Sequence, residues 1–95
     1  MLPLDQNQVE IGLAALPGWS FEDDSLVKTF KFGSFREAVS FIVRLSFEAE
    51  ERNHHPELFN VYNRVDVRLR THDAGNQVTE SDLALAQAIE NLSWV

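Results

Sequence analysis

Residues 33–70 read GSFREAVSFIVRLSFEAEERNHHPELFNVYNRVDVRLR, and this stretch decides the fold. Gly33-Ser34 opens the strongest helix of the chain, with Ser34 as N-cap and Glu37 three residues on as its capping-box partner. Phe35, Ala38, Val39, Ile42, Leu45 and Ala49 form one apolar stripe, and Phe41, Val43 and Phe47 add apolar surface outside it. A helix that is apolar beyond one face usually meets two neighbours, here the sheet and another subunit. The helix is expected to end near Arg52-Asn53, because Pro56 cannot continue it and His55, preceding a proline, is biased to extended backbone. Leu58 to Asn63 reads as one strand. Val65, Val67 and Leu69 alternate with Asp66, Arg68 and Arg70 as a half-buried second one.

Outward from this block, Asp5 to Leu16 carries Val9, Leu13 and Leu16 at helical spacing, stopped by Pro17-Gly18. Trp19 to Glu22 and Ser25 to Phe32 read as a hairpin turning at Asp23-Asp24. After Arg70, the segment His72-Asp73-Ala74-Gly75-Asn76 is a turn. Thr79-Glu80-Ser81-Asp82 then resembles a capping box for a last helix bearing Leu83, Leu85, Ala86, Ile89 and Leu92. The order is α-β-β-α-β-β-α. It predicts an α+β fold, a four-stranded antiparallel sheet with three helices packed on one face, as one domain over residues 1–95.

Composition narrows the function. With no cysteine there is no disulfide, thiolate nucleophile or cysteine-based zinc site. Net charge is −7, and all eight lysines and arginines lie between Lys28 and Arg70, leaving both ends acidic. No basic stripe with interleaved aromatics argues for nucleic acid as partner. No basic leader precedes an apolar run, and the apolar stretches are too short to span a bilayer, so a cytoplasmic protein without a membrane partner is expected. Arg64, Arg68 and Arg70 read as a solvated strand face rather than an anion site.

Two of the three histidines, His54 and His55, sit side by side after an acidic helix end containing Glu50 and Glu51. Imidazole exchanges protons near neutral pH, so it can protonate a leaving hydroxyl and remove a proton elsewhere. Glu50 and His54 are four apart and can share one side of the helix end. An antiparallel return of the fourth strand brings His72 towards the start of the third, beside that pair. No serine is set up as a nucleophile and no glycine-rich phosphate loop is present, so elimination or addition of water fits better than acyl or phosphoryl transfer. In isolation His-His-Pro is also an ordinary surface loop. Three histidines can ligate zinc, but this spacing matches no common zinc motif.

Glu50-x-x-x-His54-His55-Pro56, followed by Tyr62, His72 and Asp82, resembles the signature of the pterin-4a-carbinolamine dehydratases. The similarity includes Phe59-Asn60-Val61-Tyr62-Asn63, Leu69-Arg70-Thr71-His72-Asp73 and the closing Asp82-Leu83-Ala84-x-Ala86-x-x-Ile89. It runs from Phe30 onward, while the first third matches in element order more than in residues. The resemblance implies the same α+β fold and removal of water from 4a-hydroxytetrahydropterin to give quinonoid dihydropterin. It implies no metal and no bound cofactor, the pterin being the substrate, and a homodimer or homotetramer formed through the central helix and a sheet edge. Carried over, it makes His54, His55 and His72 catalytic, and Glu50, Asn53 and Thr71 substrate-binding. Asp82 and Asp73 become supporting residues, Asp82 orienting a histidine. Asn53 stands where many relatives carry Asp, and Leu58 where many carry Trp. Two other readings stay open: a non-catalytic dimerisation module, and an enzyme acting on another pterin, such as one of molybdopterin metabolism.

Overall fold

A computed structural model describes residues 1–93; of the domain expected over 1–95, Trp94 and Val95 lie outside the described residues. The elements run α1 (Gln6–Leu13), β1 (Ser20–Glu22), β2 (Ser25–Lys31), α2 (Phe35–Glu51), β3 (Glu57–Val61), β4 (Arg64–Leu69) and α3 (Glu80–Leu92), with a single 3₁₀ turn over His72–Ala74. The four strands form one antiparallel sheet in the order β1-β2-β4-β3. This is the predicted α+β architecture.

Burial alternates strictly along β4: Val65, Val67 and Leu69 are sealed while Arg64, Asp66 and Arg68 are not. Leu26 and Phe30 of β2 stand opposite Leu69 and Val65, so they join the same face. Against that face pack Ala38, Phe41, Leu45 and Ala49 of α2, Leu85, Ala86 and Ile89 of α3, and Val9 of α1. On the other face, Arg70 forks onto Glu57 (2.6 and 3.3 Å) and Arg68 reaches the Glu22 carbonyl. This is the solvated arginine face expected from the alternation.

Both hairpin turns take left-handed backbone. Asp23 (φ 51°) and Asp24 (φ 57°) join β1 to β2 as a two-residue turn whose double positive φ matches the twist of the strands. Between β3 and β4 the loop is Tyr62-Asn63, with Tyr62 at φ 52°. The first helix is shorter than its apolar spacing suggested. It ends at Leu13, and Leu16 reaches the core through a turn closed by its N–H on the Leu13 carbonyl.

The core face of α2 is rotated from the sequence reading. Phe41, assigned outside the stripe, is fully buried among Phe30 and Phe32, with ring centroids 4.8 and 5.0 Å away. Phe35 (52% exposed), Val39, Val43 and Phe47 (71% exposed) instead run four residues apart along the outer side. Phe30 of β2 and Phe32 just beyond it select the phase; apolarity alone does not, because α2 is apolar on both sides. The N-terminal cap also differs by one residue. Ser34 accepts from Glu37 N–H as expected, but the Glu37 carboxylate reaches back to Gly33 N–H (2.7 Å).

A partly buried knot ties the layers. Glu90 of α3 accepts from Lys28 Nζ (2.8 Å) on β2 and from Trp19 Nε1 (3.1 Å), and the same ammonium caps the Pro17 carbonyl.

Candidate functional site

The C-terminus of α2 sets the site. Arg52 is the C-cap, Asn53 turns left-handed at φ 48°, and two backbone bonds close the end: Asn53 N–H to the Glu50 carbonyl (3.1 Å) and His54 N–H to the Ala49 carbonyl (3.0 Å). This is a Schellman closure, in which the residue after the C-cap must accept left-handed backbone. After glycine, asparagine tolerates that conformation best. Asn53 therefore has a backbone role that explains its identity independently of any ligand.

The turn at Asn53 decides where the two histidines go. His54 folds inward and its Nε2 lies 2.5 Å from Oδ1 of Asp82, the fully buried third residue of α3. His55 stays exposed and its Nε2 meets Glu50 Oε1 at 2.8 Å. Glu50 thus pairs with His55 rather than with His54, its neighbour by helical spacing. The left-handed residue breaks the helical continuation on which that spacing depends.

Asp82 is held from the other side as well. Its Oδ2 accepts from Thr71 Oγ1 (2.8 Å) and from Thr79 N–H (2.9 Å). Thr71 and Thr79 also share a hydroxyl contact of 2.7 Å, and Thr79 Oγ1 accepts from Ser81 N–H. The capping box read at Thr79-Asp82 is present, and its carboxylate does two jobs: it caps α3 and binds His54. A carboxylate buried without water needs such a set of donors. Here one comes from β4's extension, one from the cap backbone and one from the histidine.

Of the remaining residues singled out by sequence, one joins this unit by hydrogen bonds. Thr71 is tied to Asp82 and so to His54. His72, next in the chain, lies in the exposed 3₁₀ turn and bonds Asn76 Oδ1 through Nδ1 (2.8 Å). Antiparallel return of β4 therefore delivers Thr71, rather than the His72 ring, into hydrogen-bonded connection with His54. Asp73 is exposed in that same turn. A cleft of about 390 Å³ opens beside the pair, lined by Leu45, Phe47, Ala49, Glu50, His55 and Leu58, among others. Its walls are mostly apolar, with one carboxylate and one imidazole at the rim.

Two partners were not singled out in the sequence. Thr79 was read only as a helix cap, yet its hydroxyl and N–H both enter the Asp82 unit. Asn76 was read as turn, yet it is the residue that holds the His72 ring. Left-handed backbone at Gly75 (φ 70°) and Asn76 (φ 59°) brings the amide back onto the histidine four residues earlier.

The family model described as pterin 4 alpha carbinolamine dehydratase matches residues 2–92. A protein of Opitutus terrae, provisionally named a pterin-4-alpha-carbinolamine dehydratase, is 58% identical over 92 residues, covering 97% of this chain and 95% of its own. One of Sulfolobus acidocaldarius with the same provisional name is 43% identical over 91 residues, covering 96% and 99%. A crystal structure titled as a transcriptional coactivator/pterin dehydratase from Brucella melitensis superposes with a TM-score of 0.92 at 38% identity, covering 97% of this chain and 99% of that one. A pterin dehydratase-like protein described as a RuBisCO assembly factor shares the fold at a TM-score of 0.65 and 24% identity, covering 79% and 86%. By sequence over nearly its whole length and by fold, this chain belongs to the pterin-4a-carbinolamine dehydratase family.

Proposed function

We propose that the protein dehydrates a 4a-hydroxytetrahydropterin to the quinonoid dihydropterin by histidine acid-base catalysis. The observation that carries this reading is the His54–Asp82–Thr71 unit, followed directly in the chain by His55, which with Glu50 lines the cleft. The step breaks the C4a–O bond as the hydroxyl takes a proton and leaves as water; loss of the N5 proton forms the C4a=N5 double bond. One proton enters and one leaves, with no change of oxidation state. It asks for positioned proton carriers, and the chemistry needs no resident metal or cofactor.

In this reading His54 protonates the departing hydroxyl, with the ring held by Asp82. Glu50 and His55 form a rim pair that binds and orients the pterin ring, the carboxylate accepting from its N–H groups. Thr71 acts through Asp82 rather than on the substrate. His72, held by Asn76, assists from the turn. The family relationship and the retained histidines favour this over a purely structural role.

One observation supports self-association alongside catalysis. Phe35, Val39, Val43 and Phe47 form an apolar stripe the length of α2 on its outer side, and the edge strand β3 shows Phe59 and Val61. We assign these surfaces to a homodimer or homotetramer. Phe47→Glu should lower the mass measured by light scattering; an unchanged mass would set that assignment aside. The catalytic reading is tested by stopped-flow absorbance of carbinolamine decay. The protein should speed it, and His54→Ala should lose most of the acceleration while keeping the fold.

A further inference from the structure

We infer that Asp82 fixes neutral His54 as the Nε2–H tautomer, leaving Nδ1 as the nitrogen that exchanges protons, and that an amide at position 82 would reverse this. The inference rests on the reading of His54 as a proton carrier only for its catalytic consequence; the tautomer itself follows from the hydrogen bonds.

The donors around Asp82 leave little freedom. Thr79 N–H is a backbone donor and can only give, and it gives to Oδ2 at 2.9 Å. Thr71 Oγ1 also gives to Oδ2, so its single proton is spent there. Thr79's hydroxyl must then be the donor in its contact with Thr71. Every proton in this chain points towards the carboxylate, which is an acceptor only. Oδ1 is left for His54, and an acceptor 2.5 Å from Nε2 requires the proton on Nε2. Nδ1 has no hydrogen-bond partner among the described residues. The His54 side chain is 13% exposed, and Nδ1 is not sealed from solvent. When imidazolium gives up its proton through Nδ1, the ring keeps Nε2–H on the carboxylate and returns to its favoured neutral form.

Asp82→Asn separates the two jobs of this side chain. The oxygen of the new amide must occupy the Oδ2 position, because Thr79 N–H points there. That places the NH₂ group at the Oδ1 position, facing His54. Nε2 must then accept, and the ring proton moves to Nδ1. The cap survives, but a neutral ring with its proton on Nδ1 cannot accept there, and imidazolium would set two donors against each other. Asp82 is thus a positioning residue whose effect passes through His54. Thr79 and Thr71 act one step further back by orienting the carboxylate.

The test is histidine ring nitrogen NMR on the whole chain, wild type and Asp82→Asn, with the imidazole neutral and turnover measured in parallel. The expected result is an unprotonated Nδ1 in the wild type and an unprotonated Nε2 in the variant. The kcat loss should be on the order of 10⁴-fold with KM little changed, as for a histidine held in the wrong tautomer. A wild-type spectrum with the proton on Nδ1 overturns the inference, and this spectrum decides alone should the variant not fold. Retention of Nε2–H in a folded variant overturns it equally. If both spectra are as expected and neither protein speeds carbinolamine decay, the tautomer assignment stands and the dehydratase reading falls.

Discussion

Removing the Asp82 carboxylate altogether should cost the fold far more than converting it to an amide. In Asp82→Ala three donors lose their acceptor: Thr71 Oγ1, Thr79 N–H and His54 Nε2. They are not equivalent. The Thr71–Thr79 contact already carries the Thr79 proton, so turning Thr71 onto it only moves the loss, and one hydroxyl donor is left without its acceptor at about 1 kcal/mol. The Thr79 N–H is a buried helix N-terminal donor with no other acceptor, and stranding it costs about 1–3 kcal/mol. His54 keeps access to solvent and loses about 1 kcal/mol. Relief from burying a charge offsets part of this. The net expectation is about 2–4 kcal/mol for Asp82→Ala and about 1 kcal/mol or less for Asp82→Asn. For a domain whose total stability is on the order of 5–15 kcal/mol the first is a large fraction. Urea unfolding followed by circular dichroism, at one protein concentration so that association does not shift the midpoint, measures both. An alanine variant within about 1 kcal/mol of wild type would refute the view that Asp82 anchors this corner of the fold.

Phe41→Ala should destabilise by about 3–5 kcal/mol, since it empties a sealed position between two aromatic rings; the same unfolding experiment reads it. A loss below about 1.5 kcal/mol would mean that α2 presents a different face. At Asn53, glycine should be tolerated within about 0.5 kcal/mol, whereas valine should lose about 1–2 kcal/mol, because only the first accepts left-handed backbone freely. Equal tolerance of both by thermal unfolding would count against the Schellman closure.

The element order was legible because each segment carries its own signal. β4 alternates, Asp23-Asp24 breaks two strands, and Thr79-x-x-Asp82 spells a cap in four residues. The phase of α2 was not, since its apolar residues cover two sides of the helix and only Phe30 and Phe32, from another element, select Phe41. At the site, the residue types were readable and their pairing was not. Glu50 and His54 look matched by helical spacing, yet one left-handed residue sends His54 to Asp82, 28 positions away, and leaves Glu50 to His55. The double use of Asp82 is likewise invisible in sequence, where a capping carboxylate and a histidine partner have the same letter. Nor was the hold on His72 readable: β4 ends at Leu69 and the chain tightens into a 3₁₀ turn in which Asn76 secures the ring.

The most direct measurement is the rate of carbinolamine dehydration, followed by stopped-flow absorbance as the hydroxypterin forms and decays. Wild-type protein should accelerate the decay in proportion to its concentration, and His54→Ala, folded by circular dichroism, should return it close to the uncatalysed rate. Decay that is indifferent to the wild-type protein, or equally fast with the alanine variant, would contradict the account.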